Sequence, residues 1–266
     1  MNSAQGRHAL VTGAGRGIGL AVALALARHG FRLTLVGRDA RTLEQASAAC
    51  RKAGSPLAQA SRRDLTDRAQ LAALARSTAA EVDVLVNNAG SAPSASLEKT
   101  DDSTWDATLA LNLFAPFALC RAALPGMAAR GFGRVVNVAS TAALQGYAYT
   151  AAYCASKHGL LGLTRALDAE LRQRVPGRDV TVNAVAPGFV DTDIVAAAAR
   201  RIAAATGRSE AEARARLGAM NAGGRLLTAD EVADAVLALV LELPGRTRGA
   251  ALTWDAPDAP DGTPQP

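Results

Sequence analysis

Thr12-Gly13-Ala14-Gly15-Arg16-Gly17-Ile18-Gly19 joins a short apolar run, His8–Thr12, to a longer stretch near 17–30 rich in small and apolar residues. Glycines at a strand-to-helix turn permit a tight bend and let another group approach the backbone closely. The helix that follows offers unpaired N–H groups and a positive dipole end, which suits a diphosphate. Ordinary tight turns use glycine too, so the segment gains meaning from its place between strand and helix. Its spacing, Gly13-x-x-x-Gly17-x-Gly19, departs from the G-x-G-x-x-G pattern.

Beyond this turn, short apolar runs alternate with longer amphipathic ones, the pattern of successive βα units and a parallel sheet. Strands are expected at His8–Thr12, Arg32–Val36, Leu57–Ser61, Val82–Val86, Arg134–Val138, Val180–Ala184 and Ala250–Trp254. Helices are expected near 17–30, 40–53, 67–79, 102–130, 152–174 and 229–242. Asp39 and Thr66 are read as helix N-caps, and Gly30 and Gly54 as stops. The fold class is therefore α/β: a Rossmann-type doubly wound parallel sheet of seven strands with helices on both faces. Its ligand crevice is expected at the strands' C-terminal ends. Residues 1–254 read as a single dinucleotide-binding and catalytic domain. The segment 191–228 interrupts the alternation with Ala/Arg-rich helical stretches at 194–205 and 209–219, separated by Thr206-Gly207, and is expected to be a substrate lid. Residues 255–266, rich in Pro, Gly and Asp, are expected to be a poorly ordered tail.

Composition excludes several classes. With 266 residues, 49% of them hydrophobic, the chain can bury a full core. It has no apolar signal core at its start and no membrane-length uninterrupted apolar run, so a soluble cytoplasmic protein is expected. Cys50, Cys120 and Cys154 are odd in number and far apart, and His8, His29 and His158 are equally scattered. Neither a disulfide framework nor a metal site is expected. The net charge is only +5, with arginines dispersed among acids, so nucleic acid is not an expected partner. Of 29 Lys+Arg, only Lys52, Lys99 and Lys157 are lysine.

Lys157 lies four residues after Tyr153, so on a helix the two share a face. An ammonium beside a phenol favours phenolate and is expected to lower the tyrosine's pKa toward the working range of a general acid/base. Arginine cannot give up its proton and has a broader head, so a lysine kept in an arginine-rich chain points to a need for a compact ammonium.

The motifs together resemble the short-chain dehydrogenase/reductase family over residues 7–245: the glycine turn, Asn87-Asn88-Ala89-Gly90, Asn112, Ser140, Tyr153-Cys154-Ala155-Ser156-Lys157, and Pro187-Gly188-Phe189-Val190-Asp191-Thr192. The resemblance implies a catalytic set of Asn112, Ser140, Tyr153 and Lys157. Ser140 would bond the carbonyl oxygen and Tyr153 would donate the proton. Lys157 would also hold the nicotinamide ribose, and Asn112 would hold a water in a proton relay. It further implies a cofactor site formed by Gly13, Arg16, Gly17, Ile18, Gly19, Arg38, Asp64, Leu65, Asn88, Tyr153, Lys157, Val190 and Thr192. Asn88 would line the ribose edge, and Val190 and Thr192 the carboxamide. Asp64 reads equally well as an adenine contact and as a turn residue.

Cofactor choice is read at Val36-Gly37-Arg38-Asp39. NAD-preferring relatives carry an acid where Gly37 stands, whereas Arg38 and Arg16 suit a 2′-phosphate. NADP(H) is expected over NAD(H), the counter-reading being that Asp39 takes the acidic role.

The resemblance extends to 3-oxoacyl thioester reductases, so the expected partner is a small carbonyl or alcohol substrate, carried on coenzyme A or acyl carrier protein. Tyr147 and Tyr149 are expected to line its pocket. Alternatives are an NAD-dependent secondary-alcohol or cyclic-diol dehydrogenase of the same fold and a non-catalytic NADP-binding regulator. An enoyl reductase is disfavoured because those relatives space Tyr and Lys more widely. Leu252-Thr253-Trp254-Asp255-Ala256-Pro257 replaces the family's V-D-G-G segment, which bears on whether the expected homo-oligomer is a tetramer or a dimer.

Overall fold

The computed structural model describes residues 6–241, 249 and 251–254. Seven parallel strands run in the order β3-β2-β1-β4-β5-β6-β7. They are β1 (His8–Thr12), β2 (Arg32–Gly37), β3 (Ala58–Arg62), β4 (Val84–Asn87), β5 (Phe132–Val138), β6 (Asp179–Pro187) and β7 (Ala251–Trp254). The chain winds outward from β1 to β3, then returns to place β4 against the other side of β1. That reversal opens a crevice at the carboxyl ends of β1 and β4, where doubly wound sheets bind ligands.

Alternation along β1 divides the core. Ala9 and Val11 face α1 (Gly17–Arg28), α2 (Ala40–Lys52) and α9 (Ala229–Leu241), and Leu10 faces α3 (Arg68–Ser77) and α5 (Ala115–Arg130). Both faces are covered, so the strands read as continuous apolar runs. The remaining helices are α4 (Asp102–Leu109), α6 (Ala151–Arg174), α7 (Asp193–Thr206) and α8 (Glu210–Gly218).

Three expectations change. Thr66 is not the cap of α3. Asp67 is, its Oδ1 accepting from the N–H groups of Ala69 (2.8 Å) and Gln70 (3.1 Å), because Thr66 is turned back onto Asp64. The helix expected at 102–130 is broken by a π-helical turn, Ala110–Phe114, between α4 and α5. Pro116 sits just beyond it and has no N–H to donate, so an uninterrupted i→i+4 ladder is impossible there. The glycine stops fall one residue outside their helices: His29 and Ala53 are the caps, and Gly30 (φ 76°) and Gly54 (φ 118°) take the positive φ just after them. Gly207 (φ 71°) ends α7 as the expected break between the two short helices.

The run Asp102–Arg130 is long and apolar enough to cross a membrane by length and composition. In the fold its Leu119, Ala123 and Met127 are buried under the sheet. The expected tail, 255–266, lies outside the described residues.

Candidate active site

The glycine turn leaves the end of β1 and enters α1 at Arg16, whose side chain makes no capping bond. The first N–H groups of α1 therefore face the crevice without a side-chain acceptor. Gly13 has φ 68°, and a Cβ there would stand 2.8 Å from Asn88 Nδ2. A Cβ on Gly19 would press on the Gly13 carbonyl. The Thr12 hydroxyl accepts from the N–H groups of Asn88 (2.9 Å) and Ala89 (3.0 Å), and Asn88 Nδ2 donates back to the Thr12 carbonyl at 2.9 Å. The amide of Asn88, expected at a ribose edge, thus braces the glycine turn from within the groove wall.

From this turn a groove of about 450 Å³ runs over Gly37, Arg38, Arg63, Asp64 and Leu65. Asp39 caps α2 by accepting from Thr42 N–H at 2.8 Å, and that backbone bond holds its carboxyl below the usual range. Its acidic side chain is occupied, and Gly37 offers none. Asp64 is a turn residue and a groove residue at once: it accepts from the N–H (2.9 Å) and hydroxyl (2.7 Å) of Thr66, which lower its pKa. Arg63, unforeseen from sequence, joins Arg38 at this end, and its position next to Asp64 was the available signal. Arg16 differs from expectation, because its guanidinium pairs with Asp193 at 2.7 Å.

The catalytic candidates converge from three elements. Ser140 follows β5, Tyr153 and Lys157 share one face of α6, and Asn112 sits in the π turn. Tyr153 and Ser140 line the same cavity wall, close enough for the Ser140 side chain to act on the Tyr153 phenol. Lys157 is buried, donates to the Val138 carbonyl at 2.7 Å, and has its Nζ 5.8 Å from the Tyr153 ring centre. Desolvation lowers the Lys157 ammonium to about 8. Tyr153 departs from the expected direction: burial, opposed in part by the Ser140 side chain, raises its pKa. The ammonium does not overcome that burial, and Tyr153 stays a phenol, poised to give a proton.

Asn112 is buried, with both Nδ2 hydrogens donated and one bond accepted at Oδ1. Its Oδ1 accepts from Ser91 N–H (2.9 Å), while Nδ2 donates to the Ser91 carbonyl (2.9 Å) and to Ser156 Oγ (2.9 Å). Ser156, which sequence reasoning passed over inside its own motif, donates to the Tyr153 carbonyl at 2.7 Å. The Asn112 main chain offers a relay water a further acceptor. Pro116 has no N–H for the Asn112 carbonyl four residues back.

Tyr153 and Ser140 line a second cavity of about 430 Å³, which shares Ile18, Asn88, Gly90, Thr192 and Ile194 with the groove. Tyr147 and Tyr149 line it, as expected. The Tyr147 hydroxyl is held by Thr141 Oγ1 (2.9 Å) and Gln145 Nε2 (2.7 Å), and its ring stands edge-on to Phe189 at 5.8 Å. Tyr149 has φ 64°, the one non-glycine residue with positive φ among those described. Val190 bridges to Leu227, and the Thr192 hydroxyl donates to the Val190 carbonyl at 3.3 Å. Asn221, also unforeseen, is buried and bonds both the N–H (2.7 Å) and the carbonyl (2.8 Å) of Phe189. Above the cavity, α7 and α8 pack on each other through Val195, Ala199, Ala213 and Leu217. Among the described residues no group of three or more His, Cys, Asp or Glu is placed to hold a metal ion.

The family model for short chain dehydrogenases matches residues 7–203. The chain is 36% identical over 248 residues to 2-(S)-hydroxypropyl-CoM dehydrogenase 3 of Xanthobacter autotrophicus, covering 92% of this chain and 93% of that protein. It is 35% identical over 256 residues to D-beta-hydroxybutyrate dehydrogenase of Cupriavidus necator, covering 94% and 96%. The crystal structure of a variant of actinorhodin polyketide ketoreductase with NADPH superposes with a TM-score of 0.85 at 34% identity, covering 95% of this chain and 97% of that one.

Proposed function

Because the chain belongs to the short-chain dehydrogenase family and is an oxidoreductase, we propose that it reduces a ketone to a secondary alcohol with NADPH, best a 3-oxoacyl thioester. The observation that carries the reading is the convergence of Ser140, Tyr153 and the buried Lys157 on the wall of an apolar cavity that opens into the glycine-turn groove. The residues fit a dinucleotide phosphate. Gly13 and Gly19 let the turn pack tightly on Asn88 and on its own backbone, α1 presents N–H groups to the groove, and Arg38 and Arg63 stand where Gly37 withholds a carboxylate.

NADP(H) is the cofactor, and bound there it supplies the hydride. Ser140 and Tyr153 would hold the carbonyl oxygen between two hydroxyls, fixing its orientation and stabilising charge as it grows. Tyr153, kept protonated by burial, would pass its hydroxyl proton to the developing alkoxide. The buried Lys157 ammonium would stabilise the phenolate left behind, the point at which its charge matters most. Asn112, through Ser156, would keep the Tyr153 backbone in register with the Gly90–Ser91 loop. The α7–α8 pair would act as a lid, and a homotetramer or homodimer would assemble through the α4–α5 and α6 faces. Oxidation of NADPH with acetoacetyl-CoA, followed by absorbance of the reduced nicotinamide, tests the reading. Absence of turnover with this thioester and with simpler ketones would overturn it.

A further inference from the structure

The cavity-lining side of α7 carries Ile194, Ala198, Arg201 and Ile202. Positions i, i+4, i+7 and i+8 form one face of a helix, here the cavity face that flanks the buried stripe of Val195 and Ala199 and is otherwise apolar. Here an arginine interrupts it. Lys157 is the other charged residue lining this cavity, and no carboxylate lines it.

The neighbouring charges at the base of the same helix are already matched. Asp191 pairs with Arg214 and Asp193 with Arg16, while Arg225 is held by Glu231. Arg201 has no ion pair among the described residues. Exposed apolar side chains, Tyr149 (68%), Met220 (54%) and Ile194 (49%), belong to the same wall. The cavity therefore combines an apolar body, two hydroxyls at Ser140 and Tyr153, and one uncompensated cation on the overlying helix.

Resting on the ketone-reductase reading, we infer that Arg201 is a specificity-determining residue that reads a negative charge on the substrate. The ketones selected here carry an anionic group beyond the carbonyl, either a carboxylate or the phosphate of a thioester carrier. Either anion would meet a planar fork of N–H donors at the exposed rim of the cavity, where the attraction weakens as salt rises.

The test compares kcat/KM for acetoacetate, acetoacetyl-CoA and the uncharged ethyl acetoacetate at low and high salt. Arg201→Gln should lower the ratio for an anionic ketone over the neutral ester by roughly tenfold, the scale of one lost charge-assisted contact. Arg201→Lys should recover most of it, and Arg201→Glu should lower it further. A loss with acetoacetate identifies a carboxylate as the charge that is read, and a loss confined to acetoacetyl-CoA identifies the carrier phosphates. An unchanged ratio in Arg201→Gln overturns the inference while leaving the reductase reading intact. Wild-type protein that oxidises NADPH with none of the three overturns that reading, and this inference with it.

Discussion

Arg16 Nη1 lies 2.7 Å from Asp193 Oδ2, joining the glycine turn to the first residue of α7. Both side chains are mostly exposed, so the pair itself contributes under about 1 kcal/mol. The pair also bears on binding, because Asp193 lines the groove that receives a phosphate-bearing cofactor. Asp193→Asn should release Arg16 and tighten NADPH binding by a factor of about three, an effect that shrinks in high salt. Fluorescence titration at two ionic strengths checks it, and weaker binding in the variant would assign Asp193 to lid closure instead.

Tyr153→Phe removes one hydroxyl and keeps the ring. Turnover should fall by a factor of roughly 10² or more while NADPH affinity is retained. Wild-type reduction should show no loss from Tyr153 ionisation through the neutral range, because burial raises its pKa above the ordinary 10. Near-normal turnover in the phenylalanine variant contradicts the assigned role.

Lys157 sets a pH dependence of stability. Its pKa is about 8 in the fold against 10.5 unfolded, so between those values the unfolded chain holds more protons and stability rises with pH. Below pH 8 both states are protonated and the penalty, roughly 3 kcal/mol for a shift of this size, is constant. Urea unfolding of cofactor-free protein should show wild type gaining on Lys157→Met across this window. A difference that stays flat from pH 8 to 10 counts against a desolvated ammonium.

Gly37 has room for a small side chain if Leu43, whose Cδ2 would lie 3.3 Å from a new Cβ, gives slightly. Gly37→Asp combined with Arg38→Ser adds a repelling carboxylate and removes a phosphate partner. The kcat/KM ratio of NADPH over NADH should drop at least about tenfold, or ~1.4 kcal/mol. A wild-type preference for NADH would sink this prediction.

The small cluster shared by α7 and α8 gives them few large apolar anchors, so they should open more easily than α6. Their amides should exchange faster than those of residues 151–174, and cofactor with a ketone should slow them. Asn221→Ala, which strands the Phe189 N–H while its carbonyl keeps the Leu227 N–H, should cost about 1–3 kcal/mol and speed exchange further. Exchange as slow as the sheet's, and indifferent to ligand, is the contrary result.

The sheet was readable because the inner strands are apolar runs closed by turn residues, β3 being the polar exception, and the site because its motifs sit at strand ends or at helical spacing. Relations between distant residues were not. Nothing local to Arg16 points to Asp193, and Asn221 shows its role only once 189 and 225 are beside it. Thr66 and Asp67 are adjacent cap formers, and which one caps depends on Thr66 bonding backward to Asp64. Pro116 was visible, but the π turn before it depends on how α4 and α5 both seat. The direction of the Tyr153 shift followed from burial, a quantity that Y-x-x-x-K spacing does not carry.

A π turn is an α-helix holding one residue more than its length requires. Deleting a single codon within 110–114 would remove that extra residue, with Pro116 still interrupting the ladder and α5 still seated through Leu119, Ala123 and Met127. Each residue turns a helix by about 100°, so the side chain then standing at the asparagine's place would no longer meet Ser91 and Ser156 together. A lineage could in this way lose its chemistry through one small deletion while the sheet and the glycine cradle persist. Its product would bind NADPH and turn over nothing.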